Sequence, residues 1–389
     1  MRQRKYTAAI AGCGSIGHAH MAGYQQAGVE VKAVADPLPI ARGEYMERYN
    51  IAQGYATVEE MMEKAKPDIV SVCTWHPLHP GPTIAAAQGG ARAVICEKPM
   101  AISLGEARRM LDACQASNTK LAISHQRRFT PGWEKGRELV QEGVIGRPLW
   151  VNCKVVNGLL NCGTHAIDGA RFVLGDPQAE WVMGAVMRYS DRYERATPIE
   201  DACMGLVQLE GGLQLFVQSD LYIEPDSGDG AGRFQIQGSE GMIDVSVNRV
   251  RLFNGRGNGW EEVELRVPEK EVRAIGGQTN AAQVRELLAW LEGGPEHRGA
   301  GRKAFATVEI MMALYESARQ RQVVRLPLQE EGYPLGLMIE EGRLPVEKPG
   351  KYDIREFLRR DYLDQELYQQ LRAQGLKHQE ALEKVRKRG

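Results

Sequence analysis

The sequence predicts a two-domain α/β protein. An N-terminal, doubly wound parallel sheet is followed by an α+β domain with an open, mostly antiparallel sheet. Up to residue 124, short apolar runs alternate with helical patterns, as a parallel sheet with crossover helices requires. One apolar run ends in a glycine-rich turn and the next ends at an aspartate. From about residue 126, strand-like segments follow one another with few helices between them, which is typical of an antiparallel or mixed sheet.

Composition limits the class of protein. The chain has 389 residues, enough for two or three domains, and its 43% hydrophobic and 25% charged residues are ordinary for a globular protein. A formal net charge of -1 gives no bulk positive field, so we expect no nucleic acid and no membrane as partner. The seven cysteines form no C-x-x-C pair, and no histidine–carboxylate motif has metal-ligand spacing. We therefore expect reduced thiols, no metal site and a cytoplasmic location.

The glycine-rich turn is the feature around which the chain is organised. It has the pattern G-x-G-x-x-G and consists of Gly12, Cys13, Gly14, Ser15, Ile16 and Gly17. Each glycine has a separate task in a dinucleotide fold: Gly12 permits a tight turn, Gly14 lets the backbone approach a pyrophosphate, and Gly17 lets the helix lie close to the strand. The pyrophosphate would lie at the helix N-terminus, where free N–H groups favour an anion. We predict that Gly12, Gly14, Ser15, Ile16 and Gly17 bind this part of the cofactor.

A second apolar run ends at Asp36, which lies 19 residues beyond Gly17. This is close to the spacing expected of a carboxylate that binds a ribose 2′-hydroxyl. A 2′-phosphate would face that negative charge, so the predicted cofactor is NAD rather than NADP. Strand, glycine turn, helix, strand and acid together indicate a Rossmann domain at residues 1–124. The alternative is a glycine-rich turn that binds no ligand.

Further elements of the first domain follow in order. A helix is expected over residues 40–49, and capping boxes at Thr57–Glu60 and Ser103–Glu106 open two more. The remaining strands are expected at residues 68–73, 91–96 and 121–124.

A second domain is predicted for residues 125–328. Its strands are expected at residues 151–156, 181–188, 204–209, 213–217, 234–236 and 242–247, and its helices at 284–291 and 305–315. One face of such a sheet is free to meet a neighbour, so we expect a homo-oligomer, a dimer or a tetramer. The extension at residues 329–389 is expected to be irregular at 333–337, helical at 354–371 and basic at its end. It either packs on its own subunit or forms an arm around another, and we slightly favour the arm.

Four segments resemble the Gfo/Idh/MocA family of NAD(P)-dependent oxidoreductases, and the resemblance covers about residues 6–325. The segments are AGCGSIGHAH, HPLHPGPTIAAAQGGARAVICEKPMAIS, HQRRFTPGWEKGRELVQEGVIGRP and NCGTHAIDGARFVLG. The match to the E-K-P motif at residues 97–99 is the most specific. The resemblance implies that Lys98 contacts the nicotinamide ribose and the substrate, and that Pro99 follows a cis bond. It also implies cofactor contacts from Thr74, Trp75, His76, His79 and Glu97.

The resemblance further implies that His165 is the base for the hydroxyl proton and that Lys98 polarises the same oxygen. A histidine titrates near neutrality, as this task requires. Asp168 shares a helix face with His165 at a spacing of three residues and is expected to orient the imidazole. With Asn161 and Arg128, it forms the predicted substrate site. For Arg128, which lies in the R-F-x-P motif, a structural role between the domains is favoured over catalysis.

Many members of the family carry Asp where this chain has Asn161. An amide can hold a sugar hydroxyl but cannot accept a proton.

The sequence predicts an NAD-dependent oxidoreductase that transfers a hydride between the nicotinamide and a secondary hydroxyl or ketone of a sugar, cyclitol or sugar derivative. One alternative is an enzyme that keeps its NAD and oxidises a sugar transiently, for net elimination or hydrolysis. Another is a non-catalytic, NAD- and sugar-binding regulator, against which Lys98 and His165 argue.

Overall fold

The first sheet of the computed structural model is parallel and six-stranded, as predicted; the structure describes residues 5–220, 233–255, 257–265 and 276–387. The strands of this sheet are β1 (Thr7–Ala11), β2 (Glu30–Ala35), β3 (Gln53–Tyr55), β4 (Ile69–Val72), β5 (Ala93–Cys96) and β6 (Lys120–Ile123). They lie in the order β3-β2-β1-β4-β5-β6. The strand order reverses between β1 and β4, so a crevice for ligands opens at the carboxyl ends of these strands.

Five helices connect these strands, and two of them, α3 and α5, begin at the predicted capping residues. They are α1 (Gly17–Ala27), α2 (Pro39–Arg48), α3 (Val58–Lys64), α4 (Pro80–Gln88) and α5 (Leu104–Ala116). The hydroxyls of Thr57 and Ser103 accept hydrogen bonds from the backbone N–H groups of Glu60 and Glu106 at 3.2 and 3.3 Å. These bonds satisfy N–H groups that have no partner within the helix.

The second sheet is nine-stranded and, among the described strands, antiparallel in every pairing except one. Its strands are β7 (Pro148–Val155), β8 (Ala179–Met187), β11 (Ala202–Leu209), β12 (Gln214–Ser219), β13 (Phe234–Gly238), β14 (Gly241–Val245), β15 (Val250–Asn254), β16 (Glu261–Glu262) and β17 (Val324–Arg325). The two strands between β8 and β11 in the chain, β9 (Ser190–Glu194) and β10 (Thr197–Pro198), belong to a separate, smaller sheet. Their order is β16-β15-β14-β13-β7-β12-β11-β8-β17, and only β7 and β12 pair in parallel. The hairpin predicted between β11 and β12 is confirmed.

Helices of the second half cover one face of this sheet and reach back to the first domain. They are α6 (Pro131–Gln141), α7 (Thr164–Val173), α8 (Gly277–Leu291) and α9 (Gly301–Gln320). Helix α9 packs so closely on β8 that a Cβ at Gly184 would lie 2.4 Å from the carbonyl oxygen of Leu314. Helix α8 packs instead on α1, where a Cβ at Gly23 would lie 2.6 Å from the Cβ of Asn280.

The C-terminal extension differs from its prediction. It contains α10 (Pro334–Glu340), β18 (Lys348–Asp353), α11 (Gln365–Ala373) and α12 (His378–Arg386). The expectation of irregular chain at 333–337 is wrong, since Pro334 begins a helix. The single helix expected over 354–371 is also wrong. Its first half is a connecting segment, and α11 begins only where the carboxylate of Asp364 accepts the N–H of Leu367 at 2.9 Å.

The extension packs on its own chain, which is the first of the two alternatives. Strand β18 pairs with β9 in a small three-stranded sheet with β10. Helices α11 and α12 cover α2, and a cluster forms from Ile40, Tyr368, Leu371, Ala381, Leu382 and Val385.

Within the described ranges, no helix has the length and apolar character that crossing a bilayer would require.

Candidate active site

The glycine turn leaves open space at one of its three glycines. Gly12 has a φ of +93° and a Cβ there would lie 2.7 Å from the carbonyl carbon of Cys73, while a Cβ at Gly17 would lie 3.1 Å from the Gly12 oxygen. A Cβ at Gly14 would meet nothing within 4 Å. The first and third glycines are therefore needed by the protein's own packing, whereas the space at Gly14 is free for a ligand. Helix α1 begins directly after this turn with no acidic side chain, so its N-terminus suits the pyrophosphate of NAD.

Asp36 lies against the glycine turn, as its spacing predicted. Its carboxylate accepts the backbone N–H groups of Cys13 and Leu38, each at 2.8 Å. Burial raises the pKa of Asp36, although these hydrogen bonds and the charges of Arg42 and Arg360 oppose the rise. A carboxylate held at the end of β2 beside the turn fits the ribose of the cofactor.

The segment after β4 contains the predicted cofactor residues Thr74, Trp75, His76 and His79, and the structure corrects one of them, His79. His79 is buried, and its ring nitrogens contact the carbonyl oxygens of Pro99 (2.8 Å) and Thr74 (3.1 Å). His76 is also buried, with Nδ1 3.1 Å from Glu194 Oε2 and Nε2 3.1 Å from an N–H nitrogen of Arg195. The His79 ring therefore joins two protein segments and has no nitrogen left for a cofactor. His76 Nδ1, although close to Glu194, forms no hydrogen bond with the described residues, so a cofactor contact from His76 stays a prediction. Thr74 and Trp75 are half-buried, and Thr74 Oγ1 has no partner among the described residues.

The E-K-P segment follows β5, and its Lys98–Pro99 peptide bond is cis, as the resemblance implied. Glu97 is buried and accepts a hydrogen bond from His20 Nε2 at 2.9 Å. Burial would raise the pKa of Glu97, but the hydrogen bond and charge of His20 lower it to about 2. Glu97 thus ties α1 to β5, which corrects its assignment to the cofactor. The Lys98 ammonium donates to the backbone oxygen (3.0 Å) and to Oδ1 (3.1 Å) of Asn161.

His165 lies in the first turn of α7, and its environment differs from the prediction. Burial, together with the charges of Arg127 and Lys98, holds the pKa of His165 well below its ordinary value. The imidazole is therefore neutral near pH 7. Its Nδ1 has no hydrogen-bond partner within the described part of the chain, and the same is true of Asn161 Nδ2.

Asp168 does not orient His165, so this prediction is wrong. Its Oδ1 lies 3.1 Å from His125 Nδ1, and both of its oxygens accept from Arg128, at 2.7 and 2.8 Å. Arg128 is fully buried, and its remaining N–H groups go to Asp176 and to the backbone oxygen of Arg298. Because all five guanidinium N–H groups are used, Arg128 cannot bind substrate. The ion pair between Asp168 of α7 and Arg128, which precedes α6, therefore has a structural role.

Three charged residues near Lys98 were missed by the sequence reasoning. Glu194 is the last residue of β9 and Arg195 follows it, while Arg355 belongs to the extension, with its Nε 3.8 Å from Glu194 Oε1. Two of these residues act on Lys98: burial lowers the pKa of Lys98, Cys162 and Glu97 oppose this change, Arg195 lowers the pKa further and Glu194 opposes it. No motif includes these residues, so only the fold brings them together. Among the described residues, no group of three or more His, Cys, Asp or Glu side chains could hold a metal ion.

Comparison with known proteins identifies the fold and the cofactor. A family model described as the NAD-binding Rossmann fold of an oxidoreductase family matches residues 6–125, and the model of the C-terminal alpha/beta domain of the same family matches residues 137–326. This protein belongs to the Gfo/Idh/MocA oxidoreductase family. The prediction of the family is confirmed, and so are those of the fold class and of NAD as cofactor.

Several relatives cover most of this Gfo/Idh/MocA oxidoreductase. D-apiose dehydrogenase of Paraburkholderia graminis is 24% identical over 356 residues, which are 85% of this chain and 92% of that protein. An inositol 2-dehydrogenase/D-chiro-inositol 3-dehydrogenase of Shouchella clausii is 26% identical over 81% of this chain and 93% of its own. Levoglucosan dehydrogenase, solved in complex with NADH and levoglucosan, has a TM-score of 0.72 at 22% identity, over 84% of this chain and 100% of its own. This last likeness shows the shared fold.

Proposed function

We propose that the protein transfers a hydride between NAD and a secondary hydroxyl or ketone of a sugar, cyclitol or sugar derivative. The contact of Lys98 with Asn161, next to a neutral His165, is the observation that carries this proposal. It brings a proton donor, a proton acceptor and an unused amide N–H into one wall of the crevice. The relatives named for D-apiose and inositol support the substrate class.

Oxidation of an alcohol needs an acceptor for the hydroxyl proton and a donor to the oxygen on which negative charge develops. We assign the proton acceptor to His165, because its lowered pKa keeps the imidazole neutral and able to take a proton. We assign the donor to Lys98. An ammonium has three N–H groups, and the two directed at Asn161 leave one for the substrate oxygen. Bound NAD supplies the hydride acceptor.

Asn161 has two tasks in this proposal. Its oxygens hold the Lys98 ammonium in position, and its Nδ2, buried without a partner among the described residues, donates to a second hydroxyl of the sugar. The amide is neutral, so it does not raise the pKa of Lys98 as a carboxylate would.

The test is to supply NAD with a panel of sugars and cyclitols and to follow the absorbance of NADH. We expect NADH to accumulate with at least one compound, and we expect Lys98→Met and His165→Asn to lower kcat at least a hundredfold. Lys135→Met, which removes a lysine that pairs with Glu138 on the surface of α6, is the matched control and should keep full activity. Bound NAD with a chemically altered sugar but no net NADH would support transient oxidation instead. Bound NAD and sugar without any chemical change would support the regulator.

We also propose that the protein is a homo-oligomer of the cytoplasm. The outer face of the nine-stranded sheet presents Met183, Met187 and Met204, each about half exposed, and Met204 pairs with Ala185 on the same face. An apolar face of this kind is typical of a subunit interface. Light scattering should show a dimer or tetramer that Met204→Glu dissociates; a monomeric wild type would contradict this proposal. All seven cysteines are free thiols, as a reducing compartment would keep them.

A further inference from the structure

The C-terminal extension contacts the second domain beside His76 at one end and α2 of the first domain at the other. The second of the two family-model matches ends at residue 326, so the extension lies outside both. Within the extension, the eleven residues 354–364 connect β18 to α11. We call this connecting segment the strap.

The first end of the strap is fixed beside the segment that follows β4. The carboxylate of Asp353 accepts the backbone N–H groups of Arg195 (3.1 Å) and Ala196 (2.7 Å). The Arg195 guanidinium in turn contacts His76, and Arg355 lies 3.8 Å from Glu194, which pairs with the same histidine. Arg355 also lies close enough to His76 to help lower its pKa, after the larger effects of burial and of Arg195. This end of the strap is therefore next to Lys98 and the proposed substrate site.

The second end of the strap lies beside the ribose carboxylate. An N–H nitrogen of Arg360 is 2.6 Å from Glu44 Oε2 on α2, and Glu44 Oε1 is 3.2 Å from His18 Nε2, one residue after the glycine turn. Arg360 is also one of the cations whose charge opposes the raised pKa of Asp36. Two residues of α11 continue the contact: the amide oxygen of Gln365 accepts the N–H of Ile40, and Tyr368 fits against Gly43, where no Cβ could be accommodated.

We propose that the strap completes the cofactor site of its own chain and holds NAD in the crevice, with Arg360 as a cofactor-binding residue at the adenosine end. The strap runs from the Lys98 side, where the nicotinamide would lie, to the Asp36 side, where the adenosine ribose would lie. Arg360 brings a positive charge to a region where Asp36, Glu44 and the two phosphates of NAD are all negative. Release of the nucleotide requires the ion pair between Arg360 and Glu44 to open.

The test compares two variants that each remove one ion pair between the extension and α2. Arg360→Gln removes the pair with Glu44 at the crevice. Arg372→Gln removes a similar pair with Glu47, farther along α2, and serves as the matched control. Protein loaded with NADH is mixed with excess NAD, and the loss of NADH fluorescence gives the release rate. Equilibrium titration gives the dissociation constant, and thermal unfolding of both variants checks that they fold equally.

We expect Arg360→Gln to increase the release rate and the dissociation constant about tenfold, as loss of one charged contact does, and Arg372→Gln to change neither by more than about twofold. Arg360→Lys keeps the positive charge on a shorter side chain, so its release rate and dissociation constant should lie between those of the wild type and of Arg360→Gln. If Arg360→Gln folds poorly, the comparison of Arg360→Lys with the wild type replaces it. Equal effects of Arg360→Gln and Arg372→Gln, or no effect of either, would overturn the proposal. Activity toward sugars does not enter these measurements, so they stay separate from the test of the hydride transfer.

Discussion

Replacing Asn161 by aspartate tests the role assigned to Lys98. The new carboxylate would stand where the Asn161 amide oxygen now lies, 3.1 Å from the Lys98 ammonium. Two opposite charges at that distance attract each other by about 5 kcal/mol at an effective dielectric constant of about 20. Part of this energy offsets the cost of burying the carboxylate, so a rise in the pKa of Lys98 of about 1 to 3 units remains.

The assay is the pH dependence of kcat/KM for oxidation of the best sugar found. In the wild type, the rate falls at alkaline pH as Lys98 loses the proton with which it donates to the substrate oxygen, and burial places this fall below the ordinary pKa of a lysine. In Asn161→Asp the fall should move to higher pH by about 1 to 3 units, with little change at neutral pH. Asn161→Ala removes the same side-chain oxygen without adding a charge, so its alkaline limb should not move upward. An alkaline limb that stays in place in Asn161→Asp would refute the proposed coupling.

Three further predictions concern cofactor binding and stability. Gly14→Ala adds a methyl group to space that the protein leaves open, so NAD affinity should fall at least about tenfold while the melting temperature stays the same; lower stability would show that the space is needed for folding. Asp36→Ala should weaken NAD more than NADP in binding titrations, and an unchanged preference would remove Asp36 from the ribose. Arg128→Met leaves Asp168 without its main partner in the interior and should lower the free energy of unfolding by about 3 to 5 kcal/mol in urea titrations. Because Arg128 and His125 hold the pKa of Asp168 well below its ordinary value against the effect of burial, wild-type stability should be retained above about pH 4 and lost as the pH falls further, and Arg128→Met should lose much of this dependence.

The parts of the site that depend on local chain chemistry could be predicted from the sequence. Gly12 was predicted to permit a tight turn and Gly17 to permit close packing of the helix. In the structure, Gly12 has a positive φ and lies against the backbone of Cys73, and Gly17 lies against the backbone oxygen of Gly12. The helix starts at Thr57 and Ser103 follow from hydroxyls that reach the N–H group three residues on. Such contacts are fixed by covalent spacing, so a sequence pattern reports them directly.

Contacts between distant residues could not be predicted in the same way. Asp168 was assigned to His165 because both share one helix face, but the fold presents Asp168 with Arg128 and His125 from about forty residues earlier, and these donors bind it. A buried carboxylate binds the donors that burial leaves beside it, and helical spacing alone does not name them. Arg360 shows the same limit, because its partner Glu44 lies more than three hundred residues away in the chain.

The packing of α8 on α1 has a consequence for how the protein is made. Met21 and Tyr24 of α1 belong to one buried cluster with Val284 and Leu287 of α8, and Ile40 of α2 packs in another cluster with residues of the final two helices. Translation delivers the chain from its N-terminus, so a ribosome that has finished β6 has not yet made the segments that cover these side chains. The apolar surface of the nucleotide-binding half is therefore covered only after nearly the whole polypeptide has been synthesised. A fragment cut at residue 124 is an incomplete folding unit, although its sheet is whole.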